Sequence, residues 1–321
     1  TGLADRELAK TDRNGQLGSY FAGAVNVATK KGSIARGVMQ ATLGIDTRAH
    51  LPSFADETLT AKQSLIPPPN PDGPGFGKKV ALYATCYGNF NDQTPGEAAI
   101  KVLAHNGVSV RIEHPECCAM PKLENGDLAA VASASERIAA HFAELIDDGY
   151  DVVPLTTSCA LMLKFEWPLI NPGNDDVITL SRHTFDLSQY LVALSKETGL
   201  APIEPMPSHI GVHFACHARA QNMGPQAMEM LKLIPEAKPI LTERCSGHGG
   251  KWGIFKENFD TAVKVGRPAA KALAKDSPDF VVSECPLAGP HLKQVMEMSG
   301  ADKVPDRVGH PIEILAKAYG F

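Results

Sequence analysis

No apolar run in this 321-residue chain approaches the roughly 18–20 residues that a membrane-spanning helix needs, and no secretory signal peptide is visible. Basic charge is scarce as well. The 31 Lys and Arg stand against 36 Asp and Glu, for a net charge of −5, so no broad nucleic-acid footprint is expected. No Ser-His-Asp order, paired-carboxylate site or His-x-x-x-His helix stands out. The run Gly247-His248-Gly249-Gly250-Lys251-Trp252-Gly253 lacks both the G-x-G-x-x-G register and the Walker Gly-Lys-Ser/Thr ending, which argues against a phosphate loop. The chain opens on Thr1 rather than Met, as expected of a processed product or a piece of a longer polypeptide.

Seven cysteines are present: Cys86, Cys117, Cys118, Cys159, Cys216, Cys245 and Cys285. An odd count fits a disulfide framework poorly, and a chain this long needs no staples, so metal or cluster ligation in a reducing compartment is the better reading. The cysteines also repeat. Cys86 closes KKVALYATC and Cys216 closes HIGVHFAC, 130 positions on, while Cys117 and Cys245 stand 128 apart. DVVPLTTSCALMLK aligns with FVVSECPLAGPHLK at 129, and RHTFDL around His183 with GHPIEI around His310 at 127. Four elements at nearly one offset make a duplication. Superposed, the halves rebuild a Cys, a Cys-Cys pair and a Cys-x-x-Cys, but Ser246 faces Cys118, Thr156 faces Cys285 and Ala288 faces Cys159.

Length and a 44% hydrophobic fraction suit an ordinary soluble globular protein of about two domains. Residues 1–77 read as a helical tether, with one or two helices in SYFAGAVNVATKKGSIARGVMQATLG, followed by the linker IPPPNPDGPGFG. Lys30, Lys31 and Arg36 make that tether locally basic, which we read as a solvated helix face. From Lys78 strands alternate with helices. KVALYAT, VSVRIEH and DVVPLTT lie in 78–205, then IGVHFA, KPILTE and FVVSE in 206–321, with Pro-rich LAPIEPMPS between the halves. The pattern predicts an α/β fold with parallel sheets, whose ligands gather at the carboxyl ends of the strands, where the cysteines stand. Thiolates are soft ligands that select iron–sulfur clusters, zinc or copper(I). Adjacent thiols such as Cys117-Cys118 are uncommon in zinc knuckles, whereas two neighbouring thiolates can reach different irons of a cluster.

YATCYGNFND, PECCAMPKLENGD and TTSCALML, then HFACHARAQNMG, ERCSGHGGKWGIFKENFD, VVSECPLAG and GHPIEILAKAYG, resemble the paired cysteine-rich CCG domains of heterodisulfide reductase. The same domains occur in the iron–sulfur subunits of glycolate oxidase and of anaerobic glycerol-3-phosphate dehydrogenase. TLGIDTRAHLPSFADETL looks like the stretch that, in the latter, joins a ferredoxin domain to the CCG region. The resemblance implies two duplicated Rossmann-like CCG domains and a [4Fe-4S] cluster, cubane or noncubane, in an electron-transfer protein. The ligands would be Cys86, Cys117, Cys118 and Cys159 at one site and Cys216, Cys245 and Cys285 at the other. Partners would be a flavin dehydrogenase or ferredoxin-type protein, with a quinone or small-molecule acceptor. The location would be cytoplasmic or peripheral at the inner face of the membrane. Two departures stand out. No ferredoxin cysteine run precedes the CCG region, and the second half reads Cys245-Ser246-Gly247 with Ala288 for its last Cys. The alternatives are a heterodisulfide-reductase-like enzyme with substrate at an open iron, or a zinc-stabilised scaffold with the metal at the first site. His248, and less so His217, are candidates for a fourth ligand or a proton donor, while His183 and His310 are expected to pack or cap.

Overall fold

The computed structural model describes residues 2–321. The chain begins with four helices, α1 (Leu3–Leu8), α2 (Thr11–Tyr20), α3 (Ala22–Thr29) and α4 (Ile34–Leu43), the last N-capped by Ser33, whose hydroxyl accepts from the Arg36 amide. These helices do not stand off as a solvated tether. Arg36 is buried and donates to the carbonyls of Asp46 and Ala49, both at 2.7 Å, because α4 packs back on the segment that follows it. The linker is irregular as expected but pinned. The Asn70 amide donates to Ala104 O, and the Gly75 amide to Asn106 O.

The first repeat runs β1 (Lys79–Tyr83), α5 (Thr85–Phe90), α6 (Thr94–His105), β2 (Ser109–Glu113), α7 (Met120–Glu124), α8 (Leu128–Asp147) and β3 (Tyr150–Pro154). It closes with α9 (Thr157–Leu161), a π-helical turn at Met162–Glu166, α10 (Trp167–Ile170), α11 (Asp175–Arg182) and α12 (Leu187–Glu197). The second repeat runs β4 (Ser208–His213), α13 (Cys216–Ala220), α14 (Gln226–Leu231), β5 (Ala237–Thr242), α15 (Phe259–Ala274), β6 (Phe280–Ser283), α16 (Ala288–Met298) and α17 (Pro311–Ala318). Six β-branched, apolar runs thus become six strands, as their composition demands.

Each half builds a three-stranded parallel sheet, ordered β2-β1-β3 and β5-β4-β6. The fourth duplicated element extends both sheets alike, since Val152 bridges Thr184 and Val282 bridges Gly309. His310 caps α17 by accepting from the Ile312 amide at 3.2 Å, and burial pushes its imidazole down to about 3. The halves clasp each other reciprocally: α6 of the first packs on α17 of the second, and α12 on α14. One apolar core therefore runs through both, joining Leu82, Val153 and Leu191 to Val212, Leu231 and Leu315. This clasp turns the carboxyl ends of both sheets toward one region.

Candidate functional site

Every cysteine stands in the first turn or loop beyond a strand. Cys86 follows β1, Cys117 and Cys118 follow β2, Cys159 follows β3, and Cys216, Cys245 and Cys285 follow β4, β5 and β6. The turns that present them are strained. Thr85 holds φ at +61°, a left-handed conformation that a β-branched residue rarely adopts, and its hydroxyl lies 3.1 Å from that of Thr156, which occupies the place of Cys285. After each paired position the backbone again turns left-handed, at Ala119 (φ +63°) and at Gly247 (φ +80°). The glycine of the Cys-Cys-Gly pattern is thus a backbone requirement. Ala119 meets it at a cost of about 1–2 kcal/mol.

In the first half the thiols form a contacting series. Cys117 lies within hydrogen-bonding reach of Cys86 and Cys118, and Cys118 Sγ is 3.0 Å from Cys159 Sγ. Cys118 and Cys159 are buried, while Cys86 and Cys117 are half-buried. Hydrogen bonds from its two neighbours hold Cys117 well below the usual thiol range. The Cys117 contact, reinforced by burial, pushes Cys86 well up. Contacts with Cys117 and Cys159, together with burial, do the same for Cys118. Without a cation this pocket therefore favours the thiolate at Cys117 and the neutral thiol at Cys86 and Cys118. Beneath it the Tyr83 hydroxyl donates to Glu116 O at 2.6 Å, and burial, with the thiols beside it, raises the phenol well above its ordinary value.

The second half is more open. Cys216 and Cys245 are exposed and in contact, and Cys285 lies half-buried beside them. The Gly247 amide donates to Cys245 Sγ at 3.4 Å. Ser246, standing where the first half has Cys118, is buried, and its hydroxyl accepts from the His248 amide. Burial, with His291 and His50 nearby, pushes His248 down to about 3, so at neutral pH it is an imidazole that can accept or ligate but not donate as imidazolium. Burial likewise lowers His217.

One cavity of about 750 Å³ joins the two groups, lined by Cys86, Cys117, Cys118, Cys159, Cys216 and Cys285. A second, of about 600 Å³, also reaches Cys285. Among the described residues no group of three or more Cys, His, Asp or Glu is arranged to hold a single metal ion. The first-half thiols contact one another in successive pairs, Cys86 with Cys117, Cys117 with Cys118 and Cys118 with Cys159. Four thiols crowded at strand ends suit a thiophilic metal or cluster, which would neutralise them on binding.

Two features escaped the sequence. A buried polar chain ties the halves behind the thiols: Lys164 donates to Gln189 (2.7 Å) and Gln221 (2.9 Å), Gln221 donates to Thr157 (2.9 Å), and Ser188 donates to Glu284 (2.8 Å). Burial, with Asp186 nearby, pushes Glu284 up to about 8. The other is Asp12 of α2, whose carboxylate accepts from the Cys117 amide at 2.5 Å. Lys164 carried one signal, its repeat as Lys293; Asp12 carried none.

A duplicated parallel α/β unit with paired thiols at its strand ends defines the class of tandem cysteine-rich domain proteins. The match to known sequences agrees. The chain belongs to the family described as Cysteine-rich domain (CCG), which matches residues 80–164 and 210–293. It is similar to one of the subunits of anaerobic glycerol-3-phosphate dehydrogenase from Escherichia coli (strain K12), 27% identical over 318 residues that cover 97% of this chain and 76% of the relative. It is also similar to an uncharacterized iron-sulfur protein of Methanocaldococcus jannaschii, 30% identical over 246 residues, covering 74% of this chain and 46% of that one. One of the subunits of fumarate reductase (CoM/CoB) from Methanothermobacter marburgensis is 24% identical over 253 residues, covering 77% of this chain and 48% of the relative.

Proposed function

We propose that this protein is an iron–sulfur electron-transfer component of an oxidoreductase complex. Cys86, Cys117, Cys118 and Cys159 would hold one centre, and Cys216, Cys245 and Cys285 a second. The observation that carries the reading is the crowded first-half group. Four thiols in contact and largely out of water cannot all ionise unless a cationic core sits among them. A bound [4Fe-4S] cluster supplies such a core and one-electron chemistry. The CCG family and relatives named as iron–sulfur proteins support the same cofactor. Zinc at the first site is the alternative, since four thiolates are also a zinc ligand set; what favours the cluster is the family and the relatives named as iron–sulfur proteins.

A partner protein follows from the names of the relatives, which are subunits of a dehydrogenase and of a reductase. We place a flavin dehydrogenase or ferredoxin-type partner on α2–α4. Their outward side exposes Leu17, Tyr20, Phe21, Val27, Ile34 (91% exposed) and Val38, while Gly15, Gly18 and Arg36 face inward. That is the reverse of an ordinary amphipathic helix, and such a face needs a cover. No acidic residue stands between Arg13 and Ile45, so an acidic partner surface fits it. No helix among the described residues is long and apolar enough to cross a membrane. We take the domains as 1–77, 78–205 and 206–321.

A second reading has a specific basis. Three thiols without a fourth, two of them (Cys216 and Cys285) lining the 750 Å³ cavity, leave room for a small-molecule substrate at an unfilled iron position, with His248 beside it. Electron paramagnetic resonance of anaerobically purified protein tests the proposal. An iron–sulfur signal should appear in one oxidation state and vanish in the other; a sample silent and colourless in both states would overturn it.

A further inference from the structure

The N-terminal segment lies outside both matched repeats, yet α2 reaches the first thiol group directly. Two contacts fix it there. Gly15 packs so closely on Phe90 of α5, the helix that carries Cys86, that an added Cβ would fall 2.3 Å from the ring. One turn earlier Asp12 divides its carboxylate between two partners. Oδ2 accepts from the Cys117 amide at 2.5 Å, and Oδ1 lies 2.9 Å from His114 Nε2. His114 in turn is held between aromatic rings, stacked on Tyr83 at 5.9 Å and edge-on to Phe90 at 5.4 Å. Its side chain is only 6% exposed. The carboxylate is therefore oriented from both ends rather than free to swing to solvent.

The second repeat has nothing equivalent. Both loops carry an internal contact from the amide two residues on, Ala119 to the Cys117 thiol and Gly247 to the Cys245 thiol, but among the described residues no carboxylate accepts from the Cys245 amide. The halves share one plan, so this asymmetry is an addition to the first site and not part of the repeat.

We propose that Asp12 is the positioning residue of the first-half centre: it fixes the backbone of Cys117 and sets a negative charge beside the thiols, which makes the N-terminal helix part of the site. Groups that anchor a ligand's backbone and bring charge near a cluster govern its potential. A fixed negative charge disfavours the reduced form, so Asp12 holds the first centre harder to reduce than its thiols alone would make it. The claim about potential rests on the function proposed above; the claim about the Cys117 backbone does not.

Two measurements on Asp12→Asn, Asp12→Ala and Asp12→Glu separate these. In metal-free protein, the alkylation rate of Cys117 by iodoacetamide, read by peptide mass spectrometry, should rise several-fold in Asp12→Ala, with Asp12→Glu close to the parent. In the anaerobically purified protein, the midpoint potential of the first centre should move positive in Asp12→Asn with iron content unchanged, and return in Asp12→Glu. A residue that merely holds the fold would lower the melting temperature and leave the potential where it was. Unchanged potential in Asp12→Asn together with unchanged Cys117 alkylation in Asp12→Ala overturns the inference. Parent protein without iron or sulfide would instead sink the proposed function, and the alkylation series would still decide the role of Asp12.

Discussion

Cys118→Ser should abolish the spectroscopic signal of the first centre and lower the iron bound per chain by that centre's share. The second half should keep its own signal. Cys118 is 2% exposed and sits 3.0 Å from Cys159, inside a group where contacts with Cys118 and Cys86 lower the Cys117 thiol. Serine is a hard, weakly acidic donor that binds iron poorly, so the exchange removes a soft ligand without changing the shape of the site. Cys117→Ser should have the same effect, since Cys117 contacts both Cys86 and Cys118. Iron and sulfide analysis, together with paramagnetic resonance of reduced and oxidised samples, reads both outcomes. An unchanged spectrum in either variant would show that the centre is held elsewhere. Thermal melts distinguish loss of the ligand from loss of the fold. A retained melting transition with lost signal is the expected combination.

The largest effect on folding is expected from Gly247→Ala. Gly247 holds φ at +80°, and an added Cβ would stand 2.1 Å from the carbonyl oxygen of Ala262 and 2.8 Å from the Gly266 amide. Both obstacles are backbone atoms of α15, which cannot move aside as a side chain can. Left-handed strain and steric overlap together should cost on the order of 3–5 kcal/mol. Because one apolar core runs through both halves, they should melt together, with the melting temperature lowered by roughly 5–7 °C. Because Cys245 lies two residues upstream, the exposed thiol pair should also lose its arrangement, leaving the first centre loaded and the second empty. Differential scanning calorimetry with iron analysis checks this. A variant as stable as the parent would contradict the tight passage of the loop beneath α15.

The contrast between Gly247 and Ala119 shows where sequence reasoning works and where it stops. Both repeats, all six strands and the placement of every thiol past a strand end were legible, because β-branched apolar runs and a near-constant offset are local signals. The reason for the motif's third position was not. That needs backbone angles, and Ala119 adopts the left-handed turn despite being alanine. Longer-range features were hidden for a different cause. Asp12 stands 105 positions from Cys117, and nothing in the composition of α2 marks one aspartate as a partner of a distant amide. Arg36 read as a solvated cation because its neighbours Lys30 and Lys31 are solvated, whereas two carbonyls in the following segment take up its guanidinium. The reciprocal clasp of α6 on α17 and α12 on α14 was likewise invisible, since a repeat announces similarity between halves but not how they meet.

Assay of iron, acid-labile sulfide and zinc in protein purified without oxygen tests most directly whether these thiols hold clusters. Iron and sulfide are expected in near-equal amounts, with enough of each for at least one four-iron centre per chain and little zinc. Stoichiometric zinc without acid-labile sulfide would contradict that expectation, and would make the thiols of this chain structural ligands rather than carriers of electrons.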